Sequence, residues 1–163
     1  MHMKTLTAVA VATIAAAALA DILVQGARGY GGAKAQDGRY AAFEFGAAKK
    51  TASDGTTTTD GAFYLRQLAT PDRPEITLKA RVKRLGVEDN TALFSGPGVM
   101  LVGSREVKGQ VVCGVADNKD ADETSTTRDT IRARFVVDGT VRYSFAGPVL
   151  RGDIAVGERV IEE

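Results

Sequence analysis

Few residues of this chain could carry out nucleophilic or acid–base chemistry. His2 is the single histidine and Cys113 the single cysteine. We expect His2 to be removed with an N-terminal signal, so the mature chain lacks the side chain that most often transfers protons near neutral pH. Ser95 and Ser104 then have no histidine to act as a base. Cys113 lies in the apolar run VVCGVA, where a buried, unreactive thiol is expected. We therefore predict a protein that is not an enzyme, with no catalytic residue.

Clustered carboxylates raise a second option, which is metal binding. Asp117, Asp120, Asp122 and Glu123 lie in one polar segment, and Ca²⁺ favours oxygen ligands of this kind. The spacing lacks the central glycine and the distal Glu of an EF-hand loop. Solvated loop charge is the preferred interpretation, so we predict no metal ligand and no cofactor. A hydrolase using a metal ion, or carboxylates from different strands, is retained as the least favoured alternative.

Basic side chains recur at alternate positions of two segments and could bind a polyanion. They are Lys79, Arg81 and Lys83 in the first, and Arg132, Arg134 and Arg142 in the second. With 21 basic and 20 acidic residues, however, the net charge is only +1, and no aromatic side chains are interleaved for base stacking. We therefore interpret these residues as a solvated face that limits edge pairing, and predict no nucleic-acid partner.

Sugar recognition commonly uses flat aromatic side chains, and the chain has no Trp. Tyr30, Tyr40 and Tyr64 are the residues that could form such a platform. No motif supports that platform in the sequence.

The first twenty residues have the features of a secretory signal peptide. After His2 and Lys4 an apolar run spans Leu6 to Ala20 and ends Ala-Leu-Ala before Asp21. The alternative is a membrane anchor, but the run is shorter than the roughly 20 residues of a span. We predict cleavage after residue 20 and no membrane span in the mature chain. The mature protein is then secreted, periplasmic or at the cell surface.

The elements that position all these side chains are strands. From Ile76 to Lys83, apolar and polar residues alternate, and a period of two separates a dry face from a wet face. Ile76, Leu78, Ala80 and Val82 form the dry face. We expect a turn at 86–90 and a second strand from Thr91.

The same pattern recurs along the chain, and no segment after the signal has a helical period. We predict an all-β fold: a single antiparallel barrel-like or sandwich domain of about eight to nine strands over residues 21–157, followed by a charged tail at 158–163. The first strand is expected at an edge, over residues 22–25. The predicted irregular or loop segments are 26–34, 49–60, 103–109, 117–129 and 147–152.

The last hairpin allows a prediction of register. Asp138-Gly139 lies between TIRARFVV and TVRYSF, and a two-residue loop would pair Phe135 with Arg142 and mix polar with apolar side chains. Because a one-residue slip moves every side chain to the other face, the apolar grouping should decide. We predict a three-residue loop with Gly139 at positive φ beside a bulge.

The order of motifs resembles the post-COAP family of β-rich domains from exported bacterial proteins. The resemblance spans Val24 to Val156, and its most specific part is NTALFSGPG at 90–98. The other segments are VQGARGYGG, GRYAAFEFGAAKK, GAFYLRQL, QVVCGVADN, DTIRARF and GDIAV. What the resemblance implies is an exported, all-β accessory module; it implies no catalytic residue.

Two functions follow as hypotheses. The preferred one is an exported, non-enzymatic structural or interaction module that binds a protein or envelope component and is monomeric. The alternative is a small barrel that binds an apolar ligand. The interior distinguishes them, because phenylalanines that fill it would leave no room for a ligand, whereas a cavity of a few hundred Å³ would provide it.

Overall fold

The structure is a computed structural model that describes residues 21–118 and 127–162. Within those residues the chain forms nine antiparallel strands. They are β1 (Asp21–Lys34), β2 (Tyr40–Thr51), β3 (Thr57–Gln67), β4 (Ile76–Arg81), β5 (Arg84–Glu88), β6 (Thr91–Val102), β7 (Arg105–Ala116), β8 (Thr130–Val137) and β9 (Thr140–Glu162).

Eight of the strands close into a barrel. The order around the sheet is β4-β3-β2-β1-β9-β8-β7-β6, and β4 then pairs with β6 to complete the circle. The ninth strand, β5, pairs with β6 beyond that closure. The predicted all-β antiparallel domain is confirmed, and the sheet closes on itself as a barrel.

Alternating side chains form one core inside this barrel. Leu78 and Val82 of the predicted dry face are buried, with Ile76 and Ala80 packed beside them. The inward positions of β6 and β7 are also buried, among them Phe94, Met100, Val111 and Cys113. The period of two in the sequence therefore gives the correct face for these strands.

The break between β4 and β5 redirects the chain across one end of the barrel. The N–H of Val82 donates to the carbonyl of Gly61, while the N–H of Lys83 donates to the carbonyl of Ser95 at 2.8 Å. Leu85 then enters the core. The predicted turn at 86–90 is shorter than expected, because residues 86–88 belong to β5 and pair with β6.

The hairpin between β8 and β9 corrects the predicted loop length. Val137 pairs with Thr140, so the loop is the two-residue Asp138-Gly139, and both residues have positive φ. The predicted three-residue loop is wrong. The apolar grouping is nevertheless preserved, because a bulge at Arg142 shifts the register and pairs Phe135 with Tyr143. The extra residue lies in the strand rather than in the turn.

Several predicted loops are strand. Strand β1 runs through residues 26–34 and lies between β2 and β9, so it is not an edge strand. Most of 49–60 belongs to β2 and β3, and most of 103–109 belongs to β7. Strand β9 continues through 147–152 and includes 158–162, which were predicted as a tail. The polar residues of these segments lie on paired strands, which composition alone did not reveal.

Two glycines allow β1 and β9 to approach closely where they cross. Gly31 pairs with Gly152, and both have positive φ. A Cβ on Gly152 would overlap the carbonyl oxygen of Tyr30. This crossing therefore requires glycine for its backbone conformation and for space.

We predict that Gly152→Ala lowers the free energy of unfolding by at least ~2 kcal/mol, because alanine is strained at φ +96° and its methyl group overlaps β1. Gly157→Ala is the matched control in the same strand, since its φ is not positive and its Cβ would meet no atom within 4 Å. That control should change stability by less than ~0.5 kcal/mol. Urea denaturation measures both, and equal stabilities of the two variants would contradict the account.

Candidate functional site

The barrel interior is occupied by side chains. The residues that were predicted to decide the ligand question are all buried: Phe43, Phe45, Phe63, Leu78, Phe94, Phe135 and Phe145. Phe94 lies at the centre, with its ring 5.1 Å from that of Phe45 and 5.8 Å from that of Phe63, measured between centroids. Aromatic rings at these separations are in packing contact.

A polar cluster around Arg39 covers the barrel end where β1 meets β2. The Arg39 guanidinium donates to the side-chain oxygen of buried Gln67 at 3.1 Å and to the carbonyl of Ser144 at 2.8 Å. It also lies over the rings of Tyr143 and Phe145, 5.8 and 5.7 Å from their centroids. The Asp37 carboxylate, 2.8 Å from Arg39 Nε, balances its charge, and the hydrogen bonds and ring faces hold the guanidinium above the core.

Two titratable groups in this cluster have shifted pKa values. Burial raises the pKa of Tyr143 to about 12, and its hydroxyl donates to Gln67 at 3.0 Å. Desolvation alone would raise the pKa of the Asp37 carboxyl, but hydrogen bonds from Arg73 and Arg39 together lower it below its ordinary value. The cluster therefore holds Tyr143 neutral and Asp37 charged.

Two buried aspartates support the opposite end of the barrel. Strand β8 begins at Thr130, opposite Pro148, so no described strand lies beside the later part of β9 on that side. The Asp129 carboxylate accepts the N–H groups of Asn118 and Ile154, at 2.8 and 2.9 Å. The Asp117 carboxylate accepts the N–H of Val156 at 3.3 Å. These carboxylates hydrogen-bond to an edge that a neighbouring strand would otherwise pair.

The position of Asp117 is relevant to the metal site that the sequence suggests at its clustered carboxylates. Asp120, Asp122 and Glu123 lie outside the described residues, and Asp117 is engaged with the backbone of β9. Within residues 21–118 and 127–162 no group of three or more side chains is placed to hold a metal ion. The carboxylates of Asp117 and Asp129 instead accept hydrogen bonds from backbone N–H groups.

The other candidates from sequence are dispersed. Cys113 is fully buried, and burial raises the pKa of its thiol. Ser95 lies on the outer side of β6, and Ser104 lies in the turn between β6 and β7. The structure does not bring these side chains together with an acid–base partner among the residues it describes.

The basic residues do lie on the outer side of the barrel, on both sides of β6 and β7. Lys79, Arg81 and Lys83 are exposed on one side, and Arg81 is 3.5 Å from Asp60 in a solvent-exposed ion pair. Arg132 and Arg134 are exposed on β8. Solvent-exposed pairs of this kind contribute little stability.

A concave region of about 700 Å³ lies beside Arg132 and Arg134. We call it the arginine groove. It is lined by Gly86, Val87, Glu88, Thr91, Ala92, Leu93, Val112, Gly114, Val115, Ala116, Thr130, Arg132 and Arg134. Leu93 is 59% exposed in it, so the groove combines an exposed apolar side chain with two cations.

The tyrosines considered for a platform also lie on the outer face. Tyr30 and Tyr64 both pair with Glu44, one from each side, so the three side chains form one row across β1, β2 and β3. Tyr40 lies over Gly32, where any side chain would overlap its hydroxyl. The row therefore holds two exposed tyrosines with a carboxylate between them.

Sequence reasoning missed the arginine groove because the groove depends on which strands are neighbours. Leu93, Gly114 and Arg132 are far apart in the chain but occupy one row across β6, β7 and β8. The available signal was Leu93 itself, an apolar residue at an outward position between Ala92 and Phe94, which point inward.

Residues 21–118 and 127–162 contain no helix with the length and hydrophobicity that a membrane crossing requires. Comparison of the chain with protein-family models, curated proteins and solved structures gave no match.

We predict that Asp129→Asn lowers the free energy of unfolding by about 1–3 kcal/mol, because an amide has one oxygen for the two N–H groups that the carboxylate now satisfies. Asp153→Asn is the control, since Asp153 is exposed on the same edge region and should change stability by less than ~0.5 kcal/mol. Chemical denaturation measures both, and a neutral Asp129→Asn would show that Ile154 does not depend on this carboxylate.

Tyr143 should make stability fall at high pH. Its pKa is raised from 10 to about 12 on folding, so its contribution is fully present below pH 10 and is lost as the pH rises toward 12. Denaturation of the wild type and Tyr143→Phe between pH 10 and 12 measures this fall, which the variant should reduce. Tyr30→Phe, at an exposed position, should retain it. An unchanged slope in Tyr143→Phe would contradict the prediction.

Proposed function

We propose that this protein is an exported, non-enzymatic β-barrel that acts as an interaction module at the cell envelope or outside the cell. The observation that carries the proposal is the contrast between a filled interior and an outer surface with concave regions. Buried phenylalanines occupy the interior, so recognition falls to side chains on the outer faces of the strands. The expected partner is a protein or another envelope component, bound by a monomer.

The alternative of an apolar ligand in the interior is less well supported. Phe94 and Phe135 are at most 1% exposed and take up the space such a ligand would need. The Arg39 cluster also covers one end with groups that are hydrogen-bonded to each other. A ligand would have to displace packed rings and a satisfied polar network.

Support for the location comes from the sequence. The apolar segment before Asp21 has the features of a cleaved signal, and the motifs resemble exported post-COAP domains. The single cysteine is buried, and a buried thiol is protected from external oxidants. Each of these features is compatible with a domain that is stabilised by packing outside the cytoplasm.

The proposal is tested by immobilising the chain from Asp21 to Glu163 and incubating it with envelope extract of the source cell. We expect specific retention of an envelope component by the folded protein and not by the same protein unfolded in urea and alkylated at Cys113. Retention of the component should survive Tyr143→Phe, which alters the covered barrel end. Absence of any retained component, or equal retention by the unfolded control, would count against an interaction module.

A further inference from the structure

We propose that the arginine groove binds an extended acidic segment of a partner protein, with alternate carboxylates on Arg132 and Arg134 and intervening apolar side chains on Leu93. The inference rests on the proposed function and names the chemistry of the partner for one face of the barrel.

The groove is a row of outward positions on four neighbouring strands. Gly86 pairs with Leu93, Leu93 with Gly114, and Gly114 with Arg132. Directly paired residues of antiparallel strands project from the same face, so these four positions share the outer surface. Leu93 therefore has a glycine on each side and remains 59% exposed.

These two glycines are not required by the fold. Neither Gly86 nor Gly114 has positive φ. A Cβ on Gly86 would meet no atom within 4 Å, and one on Gly114 would make ordinary contact with Leu93 at 3.8 Å. Glycine within a strand lowers stability, so two of them beside an exposed leucine indicate a surface kept open for another chain.

The charges of the groove favour an anionic occupant. Arg132 lies between Gly114 and Ala146, and Arg134 lies between Val112 and Ser144. Within the described ranges, neither guanidinium forms a salt bridge. Among the described residues that line the groove, Glu88 is the one acidic residue, and it lies on the opposite wall, on β5. Two guanidinium groups on one wall are suited to bidentate binding of carboxylates.

The spacing favours an extended peptide. Arg132 and Arg134 are two residues apart on one strand, so their side chains are about 7 Å apart along β8. Alternate side chains of an extended peptide repeat at that same distance. A peptide lying over β7, with its side chains parallel to the sheet, would direct one set of side chains to the arginines of β8 and the other set to Leu93 of β6.

Two other classes of anion fit less well. A lipid surface is flat, whereas this region is concave and its leucine lies between two walls. Nucleic acid commonly requires aromatic groups for base stacking, and the described residues that line the groove include none. A second copy of this chain is a further alternative, and the test below distinguishes it.

The experiment uses a fluorescein-labelled synthetic peptide in which Glu and Leu alternate, with binding followed by fluorescence anisotropy. We expect wild-type protein to bind it, and Arg132→Glu/Arg134→Glu to bind at least ~10-fold more weakly, because each repulsive contact replaces an attractive one. Arg28→Glu/Arg151→Glu is the matched control, with the same charge change at exposed positions elsewhere, and it should stay within about twofold. A peptide that alternates Lys with Leu should not bind.

A second variant tests the groove without changing charge. Gly86→Val/Gly114→Val fills the space on both sides of Leu93 and should abolish peptide binding, with thermal unfolding measured to show that the protein is folded. Equal binding by the groove variants and the wild type would overturn the proposal. The proposal would also be overturned if the protein bound phosphatidylserine vesicles through these arginines, in a salt-sensitive way, and did not bind the peptide. A dimer that the Arg132→Glu/Arg134→Glu change dissociates would overturn it as well.

The two proposals fail in different ways. If the envelope component is retained equally by wild-type protein and by Arg132→Glu/Arg134→Glu, the interaction module stands and the arginine groove is not its site. If no component is retained but the peptide binds through Arg132 and Arg134, the proposed cellular role fails while the acidic-peptide site stands.

Discussion

Closure of the sheet between β4 and β6 is the contact on which the rest of the barrel depends. The two backbones approach so closely that a Cβ on Gly98 would overlap the carbonyl of Lys79, and one on Gly96 would overlap that of Arg81. Without this approach, β4 and the later part of β6 (residues 98–102) would be open edges, which expose unpaired backbone groups. Two glycines, spaced so that both face β4 and its extension, therefore convert an open sheet into a closed one.

Closure also decides how the volume inside is used. Eight strands enclose a space that side chains can fill, and here six phenylalanines occupy buried positions within it. Different groups cover the two ends of the barrel. One is covered by the Arg39 cluster, and the other by Leu85 as β5 turns inward. Because the barrel is closed and its interior is filled, the side chains that a partner could contact lie on the outer face, as Tyr30, Tyr64 and the arginine groove do.

Much of the fold could be predicted because alternation is a local property. The alternation from Ile76 to Lys83 correctly placed Leu78 and Val82 in the core and Lys79 and Arg81 outside it. The length of the loop between β8 and β9 could not be predicted, because the apolar grouping is compatible with an extra residue either in the turn or in the strand. The structure places that extra residue in the strand, as the bulge at Arg142. The arginine groove could not be predicted either, since its row depends on the registers of three successive strand pairs, β5–β6, β6–β7 and β7–β8, which alternation within each strand does not fix.

The carboxylates of Asp117 and Asp129 have a consequence for how this protein behaves in a crowded environment. They occupy the outward N–H groups of Val156 and Ile154, and by strand alternation the N–H groups of Glu158, Val160 and Glu162 point the same way. No described strand covers them. Charged side chains at an uncovered edge oppose uncontrolled joining of sheets. At this edge of β9, acidic side chains therefore oppose pairing with the strand of another molecule. The same edge carries the apolar Val160, which is 61% exposed.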